Sequence, residues 1–508
     1  MCRTQALLIF ICLLASCTVG PNYNRPGVTL TPKFKEAKGK AFKPEPPPKP
    51  GWKLAEPKDL ANRGKWWKLF CDPELNALEE QLNQYNQSIA NALANYEQAK
   101  ALVYQARASY FPIVSSAFNI FRQKQGGGAT TFFSSSGGTT STDTAATGAT
   151  GSTGSTVASR ARTRTTYSAF LTATWEPDIW GLVRRTVEGN VASAQANQAL
   201  IAATALSAQG SLAQYYFQVR SLDRDQQLLN DTVRNYKKAL VLTRNRYEAG
   251  VASRADIVQA QSQLENAKAQ AINNGILRSQ YEHAIAVLMG RPPATFRLLF
   301  RPLRAKPPII PISVPSVWLE RRPDVAQAER LMQQANAQIG VACAAYYPNL
   351  TLSATASAAA RSFSKLLTSP SIGWSAGLQI AQTIFDGGLR WATVMAAKAG
   401  YVAQIASYRQ TVLAAFQDVE DNLVALRLLR QQVIVQNAAA ASANKALELI
   451  MNQYKSGIVP FSTVIIAQIT AFTAQKAAYD VAGLQMTAAV RLIKALGGGW
   501  SIRELAAV

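Results

Sequence analysis

The chain is long, apolar and basic, and these three properties already exclude several classes of protein. It has 508 residues, of which 48% are hydrophobic and 16% charged, and a formal net charge of +23. The apolar content excludes intrinsic disorder, and the length predicts two or three domains or one elongated architecture. The strongly basic charge makes a nucleic acid or an anionic membrane surface a candidate partner. The single histidine, His283, argues against zinc sites and most histidine-based catalysis.

The first residues have the features of an export leader. An apolar run from Ala6 to Ala15 is too short for a membrane-spanning helix, which needs about 20 residues, but it fits a signal-peptide core. Small residues then precede Cys17, as in the bacterial lipobox, where a diacylglycerol is attached to the cysteine thiol. We therefore predict a signal peptide at 1–16 and a covalent lipid on Cys17, with no other cofactor. A plain secretory cleavage site is the alternative.

A proline-rich, basic tail is predicted at 17–68. From Thr18 to Lys68 there are twelve Lys or Arg residues and four Asp or Glu residues. The proline density predicts an extended chain, which we interpret as a strap around the body, with contact to an anionic surface as the alternative. Cys71 and Cys343 are expected to be free thiols, because nothing in the sequence pairs them.

The body of the chain contains two copies of one unit. An aromatic-proline motif recurs 236 positions later, and a Tyr-x-x-Gly motif recurs 207 positions later. These motifs are Tyr110-Phe111-Pro112 with Tyr346-Tyr347-Pro348, and Tyr247 to Gly250 with Tyr454 to Gly457. The difference between the two offsets predicts an insertion in the first copy.

The insertion coincides with a low-complexity segment at 126–160. From Gly126 to Ser159, 30 of 34 residues are Gly, Ser, Thr or Ala, a composition that cannot bury enough surface to fold. We therefore predict a disordered, exposed loop. The two repeats are placed at 69–289 and 326–508, and a Pro- and Arg-rich connecting strap at 290–325, which cannot be continuous helix, lies between them.

Each repeat is predicted to contain one very long helix and one return helix. The long helices are placed at about 185–248 and 390–455, where a sustained heptad spacing of apolar residues indicates coiled-coil packing. Turns at Gly250 and Gly457 lead into the return helices, which end near Leu288 and Leu496. His283 lies in the first of these and is interpreted as structural.

Each repeat is also predicted to contain one β-hairpin, at about 113–175 and 349–383. Apolar residues alternate with small polar residues, which fits strands of about 10 residues in a membrane barrel. The alternative is a half-buried hairpin in a soluble domain. Four strands cannot close a barrel, and an open edge is not tolerated in lipid, so membrane strands would require oligomerisation. Two chains would give eight strands, and three would give twelve.

Further motifs show which family the chain resembles. They are Gly20-Pro21-Asn22-Tyr23-Asn24-Arg25-Pro26, Trp66-Trp67, Asp72-Pro73-Glu74-Leu75, Trp175-Glu176-Pro177-Asp178-Ile179-Trp180-Gly181, Gly290-Arg291-Pro292-Pro293, Arg321-Arg322-Pro323-Asp324-Val325 and Phe385-Asp386-Gly387-Gly388. With Cys17, this constellation resembles the outer-membrane efflux factors, in particular their lipoprotein branch (TolC/OprM-like, NodT-type). The resemblance covers essentially the whole mature chain.

The resemblance implies a mixed α and β membrane protein. In this family three identical chains close a twelve-stranded outer-membrane β-barrel and continue into a long coiled-coil helical barrel in the periplasm. It also implies docking to a periplasmic adaptor and an inner-membrane pump. The expected function is therefore passive conduction of small molecules across the outer membrane. The alternatives are a type I protein secretion channel and a non-conducting coiled-coil scaffold.

The resemblance further implies that a closed aperture lies at the turns near Gly250 and Gly457. The candidate aperture residues are Arg246, Tyr247, Glu248, Asp256, Tyr454 and Lys455. Acidic residues six and nine positions after each glycine often form the gate in this family. Here the first repeat has Asp256 and Gln259 at these positions, and the second has Thr463 and Ile466.

Other chemistry does not appear in the sequence. It has no phosphate-binding loop of the G-x-x-x-x-G-K-[ST] form and no C-x-x-C pair. Basic residues are scattered along helices and straps, without the aromatic clustering of a nucleic-acid site. We therefore expect no enzyme activity, no metal site and no nucleic-acid partner.

Overall fold

The computed structural model describes residues 18–27, 34–36, 65–125, 162–308, 310 and 322–498. The predictions for Cys17, for most of the tail and for the loop at 126–160 lie outside these residues. The chain forms two compact units. One, the strand unit, contains Arg107–Val183 and Ala344–Arg390. The other, the helical unit, contains Val19–Ala106, Arg184–Cys343 and Trp391–Val508.

The strand unit is a single antiparallel sheet of four strands. The strands are β1 (Ile113–Gln125), β2 (Arg162–Trp175), β3 (Asn349–Ala360) and β4 (Ile372–Ala381). They are paired in the order β1-β2-β3-β4, so each repeat contributes one hairpin and the two hairpins meet at β2 and β3. The outer strands β1 and β4 each have one edge that pairs with no other strand of the described chain.

The aromatic motifs fix the ends of the strands. The indole Nε1 of Trp175 donates to the carbonyl oxygen of Tyr110 at 2.9 Å, which closes the first hairpin. The indole of Trp180 stacks on Tyr347 with 4.8 Å between ring centroids, and its Nε1 donates to the carbonyl oxygen of Pro348 at 2.8 Å. The Trp-rich segment of the first repeat therefore holds the aromatic-proline motif of the second.

The helical unit is built mainly from four helices. They are α3 (Leu182–Glu248), α4 (Arg254–Leu288), α6 (Leu389–Lys455) and α7 (Phe461–Ala495), of which α3 and α6 begin in the strand unit. Both long helices, α3 and α6, have 67 residues, which at 1.5 Å per residue corresponds to about 100 Å. The prediction of two long helices, each followed by a shorter return helix, is confirmed.

Three shorter helices complete the fold. They are α1 (Pro73–Tyr85), α2 (Gln87–Ala108) and α5 (Pro323–Ala344). α1 begins at Asp72, whose carboxylate accepts hydrogen bonds from the backbone N–H groups of Glu74 and Leu75, with Pro73 at the first helical position. Both features are typical of a helix N-terminus because they satisfy or remove donors that the helix leaves free.

The main hydrophobic core of the helical unit joins the two repeats. Trp67, at the end of the tail, is almost fully buried with Tyr216 and Phe217 of the first repeat. Leu423 and Leu426 of α6 are buried in the same cluster. The two repeats therefore share the main core of the helical unit.

A buried ion network holds the connecting strap against the first repeat. Arg220 lies on α3 and pairs with Glu74 at 2.7 Å and with Asp223 at 3.1 Å. Arg278 of α4 pairs with the other oxygen of Asp223 at 2.7 Å. The carboxylate of Asp223 also accepts the backbone N–H of Arg301 in the strap at 2.9 Å. The strap therefore satisfies a buried carboxylate that the helices alone would leave short of donors.

The beginning of the tail is also ordered. Arg185 of α3 donates to the carbonyl oxygens of Val19 and Gly20 at 3.2 Å, and to Oδ1 of Asn22 at 2.9 Å. Gly20 has φ of +98°, and a Cβ there would lie 2.5 Å from the Cα of Gly340 in α5. These contacts support the interpretation of the tail as a strap for residues 19–22.

The cysteines and the apolar character of the helices can also be compared with the sequence predictions. Cys71 and Cys343 are both free thiols, as expected, and Cys71 is exposed. None of the helices in the described residues is long and apolar enough to cross a membrane.

Candidate functional site: the helix turns of the two repeats

The candidate site lies where each long helix turns into its return helix. Both turns have the same backbone geometry, in which a glycine with positive φ ends the long helix: Gly250 at +73° and Gly457 at +78°. In each, the glycine N–H donates to the carbonyl oxygen of the tyrosine three residues before it. The next N–H donates to the carbonyl oxygen five residues before it. This Schellman motif explains the repeated Tyr-x-x-Gly sequence, because glycine adopts positive φ without steric cost.

The return helices begin differently in the two repeats. Ser253 and Asp256 form a capping box at the start of α4: the Ser253 hydroxyl accepts from the Asp256 N–H at 3.2 Å, and Oδ2 of Asp256 accepts from the Ser253 N–H at 3.0 Å. α7 begins after Pro460 with no side-chain cap. Asp256, the one acidic gate candidate of the first repeat, thus stabilises the start of its own helix.

Arg246 joins the turns of the two repeats. Its guanidinium lies over the Tyr454 ring, 4.4 Å from the centroid. Its Nη1 donates to the carbonyl oxygen of Tyr454 at 2.6 Å. That carbonyl belongs to the last turn of α6, where the helix dipole is negative and a cation is favourable. One arginine of the first repeat therefore binds both the ring and the backbone at the end of the second long helix.

The two tyrosines of the repeated motif have different surroundings. Tyr454 is only 4% exposed, whereas Tyr247 is 44% exposed. The Tyr454 ring packs against Phe461 of α7 with 5.4 Å between centroids, in a cluster that also contains Leu240 of α3 and Leu264 of α4. This cluster therefore contains side chains of all four long and return helices, and Arg246 covers it.

Two large apolar side chains are exposed at and after the turn of the second repeat, among exposed polar residues. Ile458 is 72% exposed and Ile466 is 66% exposed, and Ile466 occupies a position where the family often has an acid. Thr463, at the other such position, is partly buried. Glu248 and Lys455 are exposed at equivalent positions of the two long helices. The four gate positions thus contain one carboxylate, Asp256, which is already used in the capping box.

Sequence reasoning identified the turns but missed the partner of Tyr454. Arg246 and Gln453 occupy equivalent positions of the two repeats, so a comparison of the copies shows that they differ there. It does not show which residue the arginine contacts. The buried cluster around Asp223 was likewise missed, because its members lie in α1, α3, α4 and the strap and share no local motif.

Comparison with known proteins decides the family. The family model described as outer membrane efflux protein matches residues 78–291 and 314–498, which is well over half of the chain. The chain belongs to the outer membrane efflux protein family. Both repeats are included in the match, and so are both helix turns.

Curated relatives of this efflux protein match it over nearly its whole length. The probable efflux pump outer membrane protein TtgC of Pseudomonas putida is 28% identical over 501 residues, covering 97% of this chain and 95% of the relative. The pyoverdine export outer membrane protein OpmQ of Pseudomonas aeruginosa is 29% identical over 446 residues, covering 87% of this chain and 89% of the relative.

Solved structures of outer-membrane channels share the fold of this efflux protein. The outer-membrane channel OprN superimposes with a TM-score of 0.80 at 25% identity, covering 95% of this chain and all of that chain. The CmeC outer membrane channel of Campylobacter jejuni has a TM-score of 0.80 at 22% identity, covering 96% of each chain. The predicted resemblance, the mixed helical and four-stranded fold class and the outer-membrane location are therefore confirmed.

Proposed function

We propose that this efflux protein is a passive exit duct, formed by three copies of the chain, that conducts small molecules across the outer membrane. A periplasmic adaptor and an inner-membrane pump would deliver the cargo and supply the energy. No bond is made or broken in this function. The observation that carries the proposal is the four-stranded sheet, which has one apolar face and two open edges.

The strand register places the apolar residues on one face. Residues directly opposite each other in antiparallel strands share a face, and the observed pairs align Leu171, Ala356 and Trp374 across three strands. The other apolar residues of this face that lie in register with them are Val114, Phe118, Ile120, Tyr167, Ala169, Ala173, Trp175, Leu350, Leu352, Ala354, Ala358, Ala360, Ile372, Ala376, Leu378 and Ile380. The polar residues of this face are Ser116 and, at the far end of the first hairpin, Arg122, Lys124, Thr163 and Thr165. A face of this composition suits contact with lipid.

The side chains of the opposite face are mostly small and polar. It contains Ser115, Asn119, Ser168, Thr172, Thr174, Thr351, Ser353, Thr355, Ser357, Ser375 and Gln379, together with a few apolar residues such as Phe170. One apolar and one polar face per sheet is the pattern of a barrel that separates lipid from a water-filled lumen. The strands have 10 to 14 residues, enough to cross a bilayer when tilted.

The two open edges require more than one copy of the chain. Unpaired backbone groups at the edges of β1 and β4 are costly in lipid, so each edge must pair with a strand of another copy. Two copies would give eight strands, which leave little interior space. Three copies give twelve strands, which leave a wider lumen and agree with the channel relatives.

Cross-linking between copies tests this arrangement. Ser115 of β1 and Gln379 of β4 lie on the polar face and provide sites for cysteine in a background where Cys71 and Cys343 are replaced by Ser. A flexible bismaleimide is expected to link the double variant, Ser115→Cys with Gln379→Cys, into dimers and trimers and no larger species. Each single variant serves as the matched control and should give no trimer. A ladder that continues beyond three copies, or no cross-link at all, contradicts the closed trimer.

The chemistry of the known relatives supports small molecules as the cargo. One relative is described as a pyoverdine export protein, and another as a toluene efflux pump protein. The relatives match this chain over most of their length. We therefore propose the same class of cargo, small molecules, for this chain. Their names as parts of efflux pumps also support a pump as the partner.

The contact between Arg246 and Tyr454 is the proposed closing contact of the periplasmic aperture. It connects the end of α3 with the end of α6 by one charged hydrogen bond and one cation–π contact. Opening requires these helix ends to separate, and the contact opposes that movement. Engagement of the adaptor would supply the free energy to break it. The aperture would then be closed by an arginine and apolar side chains, without a ring of gate carboxylates.

A lipid on Cys17 completes the proposal. The small residues before Cys17 support it, and Thr18 would be the first residue after the lipidated cysteine. Cells grown with labelled palmitate are expected to label the wild-type chain and to leave the Cys17→Ala variant unlabelled. A Cys71→Ser variant is the control and should remain labelled. Persistent labelling of Cys17→Ala would show that the lipid is attached elsewhere.

A further inference from the structure

A second contact between the repeats lies away from the turns, where α3 of the first repeat packs along α7 of the second. Beside the apolar core it has polar members: Arg491 donates to Gln214 at 3.1 Å, and the Arg224 guanidinium lies 3.9 Å from the centroid of the Tyr479 ring. Asp225 follows directly on α3. It is the one residue of this contact that combines a charge with nearly complete burial.

Two carboxyl groups face each other here with one lysine between them. The Asp225 side chain is 4% exposed, and the Asp480 side chain of α7 is 43% exposed. The Nζ of Lys476 lies within 4 Å of an oxygen of each carboxyl, which places the two groups side by side around one cation. Lys476 donates to Oδ2 of Asp480 at 2.7 Å, but its Nζ lies 3.9 Å from Oδ2 of Asp225. The lysine therefore neutralises Asp480 better than Asp225.

The remaining oxygen of Asp225 has no donor. Its Oδ1 is buried and accepts no hydrogen bond in the described chain. The nearest arginine, Arg224, is held over Tyr479 and donates to the carbonyl oxygen of Leu303 at 3.4 Å. An ionised Asp480 has no hydrogen to donate. A buried carboxylate without donors is costly, whereas a proton on one of the two carboxyls would satisfy both.

We propose that Asp225 and Asp480 share one proton, and that this proton fastens the long helix of the first repeat to the return helix of the second. When the proton is lost, two carboxylates face each other with one lysine, and the contact weakens. The pair is therefore a pH-sensitive contact between the two repeats. The inference concerns the stability of this helix contact and does not depend on the proposed transport function.

The charged surroundings set the direction of the pH dependence. Burial, followed by the charge of Asp480, raises the pKa of Asp225 to about 7, while Lys476 and Arg224 oppose the rise. On the neighbouring helix α4, Arg278 is already paired with Asp223. An unfolded aspartate has a pKa of about 3.9, so the separated helices lose the proton first. The stabilisation is complete below about pH 4 and is lost as the pH rises through about 7.

The position of the pair connects it with the turns. Asp225 lies 21 residues before Arg246 on α3, which corresponds to about 30 Å along the helix. Between them the helical unit has an open groove of about 1040 Å³, lined by α3, α6, α7 and the strap. Along this part of α3, the Asp225 contact and the Arg246 contact thus hold opposite ends of the groove. Loss of the proton would leave this part of α3 held at its turn end, by Arg246 and by the apolar cluster around Tyr454.

Hydrogen exchange of the full-length protein in detergent tests the proposal. Backbone protection in peptides around Asp225 and Asp480, corrected for the intrinsic pH dependence of exchange, is expected to fall on the order of tenfold from pH 6 to pH 8 in the wild type. Asp225→Asn keeps the shape and supplies an amide donor, so protection should be independent of pH. Asp480→Asn removes the like charge, so the fall should move to lower pH.

The control is Asp231→Asn, on the same helix. Asp231 is exposed and pairs with Arg234, so its replacement should leave the wild-type pH dependence unchanged. A wild-type protein with flat protection from pH 6 to pH 8 overturns the proposal. So does Asp225→Asn with the wild-type dependence. If Asp225→Asn does not fold, Asp480→Asn decides, because an unchanged pH dependence in that variant also overturns the proposal.

Discussion

Arg246 shows how a single side chain distinguishes two otherwise similar repeats. Gln453 occupies the equivalent position in the second repeat, and the two turns have the same backbone hydrogen bonds. The arginine adds a charged hydrogen bond, worth about 1.5–3 kcal/mol, and a cation–π contact, worth about 0.5–2 kcal/mol. Both act on Tyr454, so the contact holds the ends of α3 and α6 together, which in our proposal is the closed arrangement of the aperture.

Removal of this side chain should loosen the aperture. In cells that express Arg246→Ala, we expect faster uptake of a large hydrophilic dye that the outer membrane normally excludes. Arg244→Ala is the matched control, because Arg244 is exposed on the same helix end and has the same charge. Equal uptake in both variants and the wild type would show that the contact with Tyr454 does not hold the aperture closed.

The ends of the helices were largely predictable from the sequence because local residues determine them. Gly250 and Gly457 end the long helices, and Pro460 precedes the second return helix. The functions of the flanking side chains were not predictable in the same way. Asp256 has the type and position of a gate acid, yet its carboxylate caps α4, and the burial of Tyr454 depends on residues more than 200 positions away.

The strands were predicted for a similar reason. Alternation of apolar and small polar residues is local, and the observed register converts it into one apolar and one polar face. What the sequence could not predict is the carboxyl pair of Asp225 and Asp480. Each residue lies in an ordinary helical segment, and only the packing of α3 against α7 brings both to the same lysine, Lys476.

One glycine provides a test of packing at the end of a helix. Gly290 follows α4 with φ of +67°, and a Cβ there would lie 2.4 Å from the carbonyl oxygen of Tyr85. Gly290→Ala should therefore destabilise the helical unit by about 2 kcal/mol or more, from backbone strain and the clash together. The measurement is the midpoint of thermal or denaturant unfolding.

The control lies within the same helix. Gly275 lies inside α4, and a Cβ added there would meet no atom of a neighbouring element within 4 Å. Gly275→Ala should therefore stabilise the protein by about 0.5–1 kcal/mol. If the two alanine variants shift the unfolding midpoint in the same direction, the close approach of Gly290 to Tyr85 is not what fixes the end of α4.

At the scale of the whole molecule, the duplicated sequence explains both the fold and the composition. Each repeat contributes one hairpin to the sheet and one long helix with its return helix to the helical unit. The low fraction of charged residues follows from the apolar strand face and the Ala-rich helices. Several arginines of this basic chain are structural, such as Arg185, Arg220 and Arg278, which bind the tail, α1 and the strap.

The most direct test of the central claim is electrical recording from purified full-length protein in a planar bilayer. A duct closed by Arg246 predicts small and infrequent conductance steps for the wild type and Arg244→Ala. Under the same conditions it predicts larger or longer openings for Arg246→Ala. Folded protein that inserts into the bilayer but gives no conductance, in the wild type and in Arg246→Ala alike, would contradict the account and favour a non-conducting scaffold.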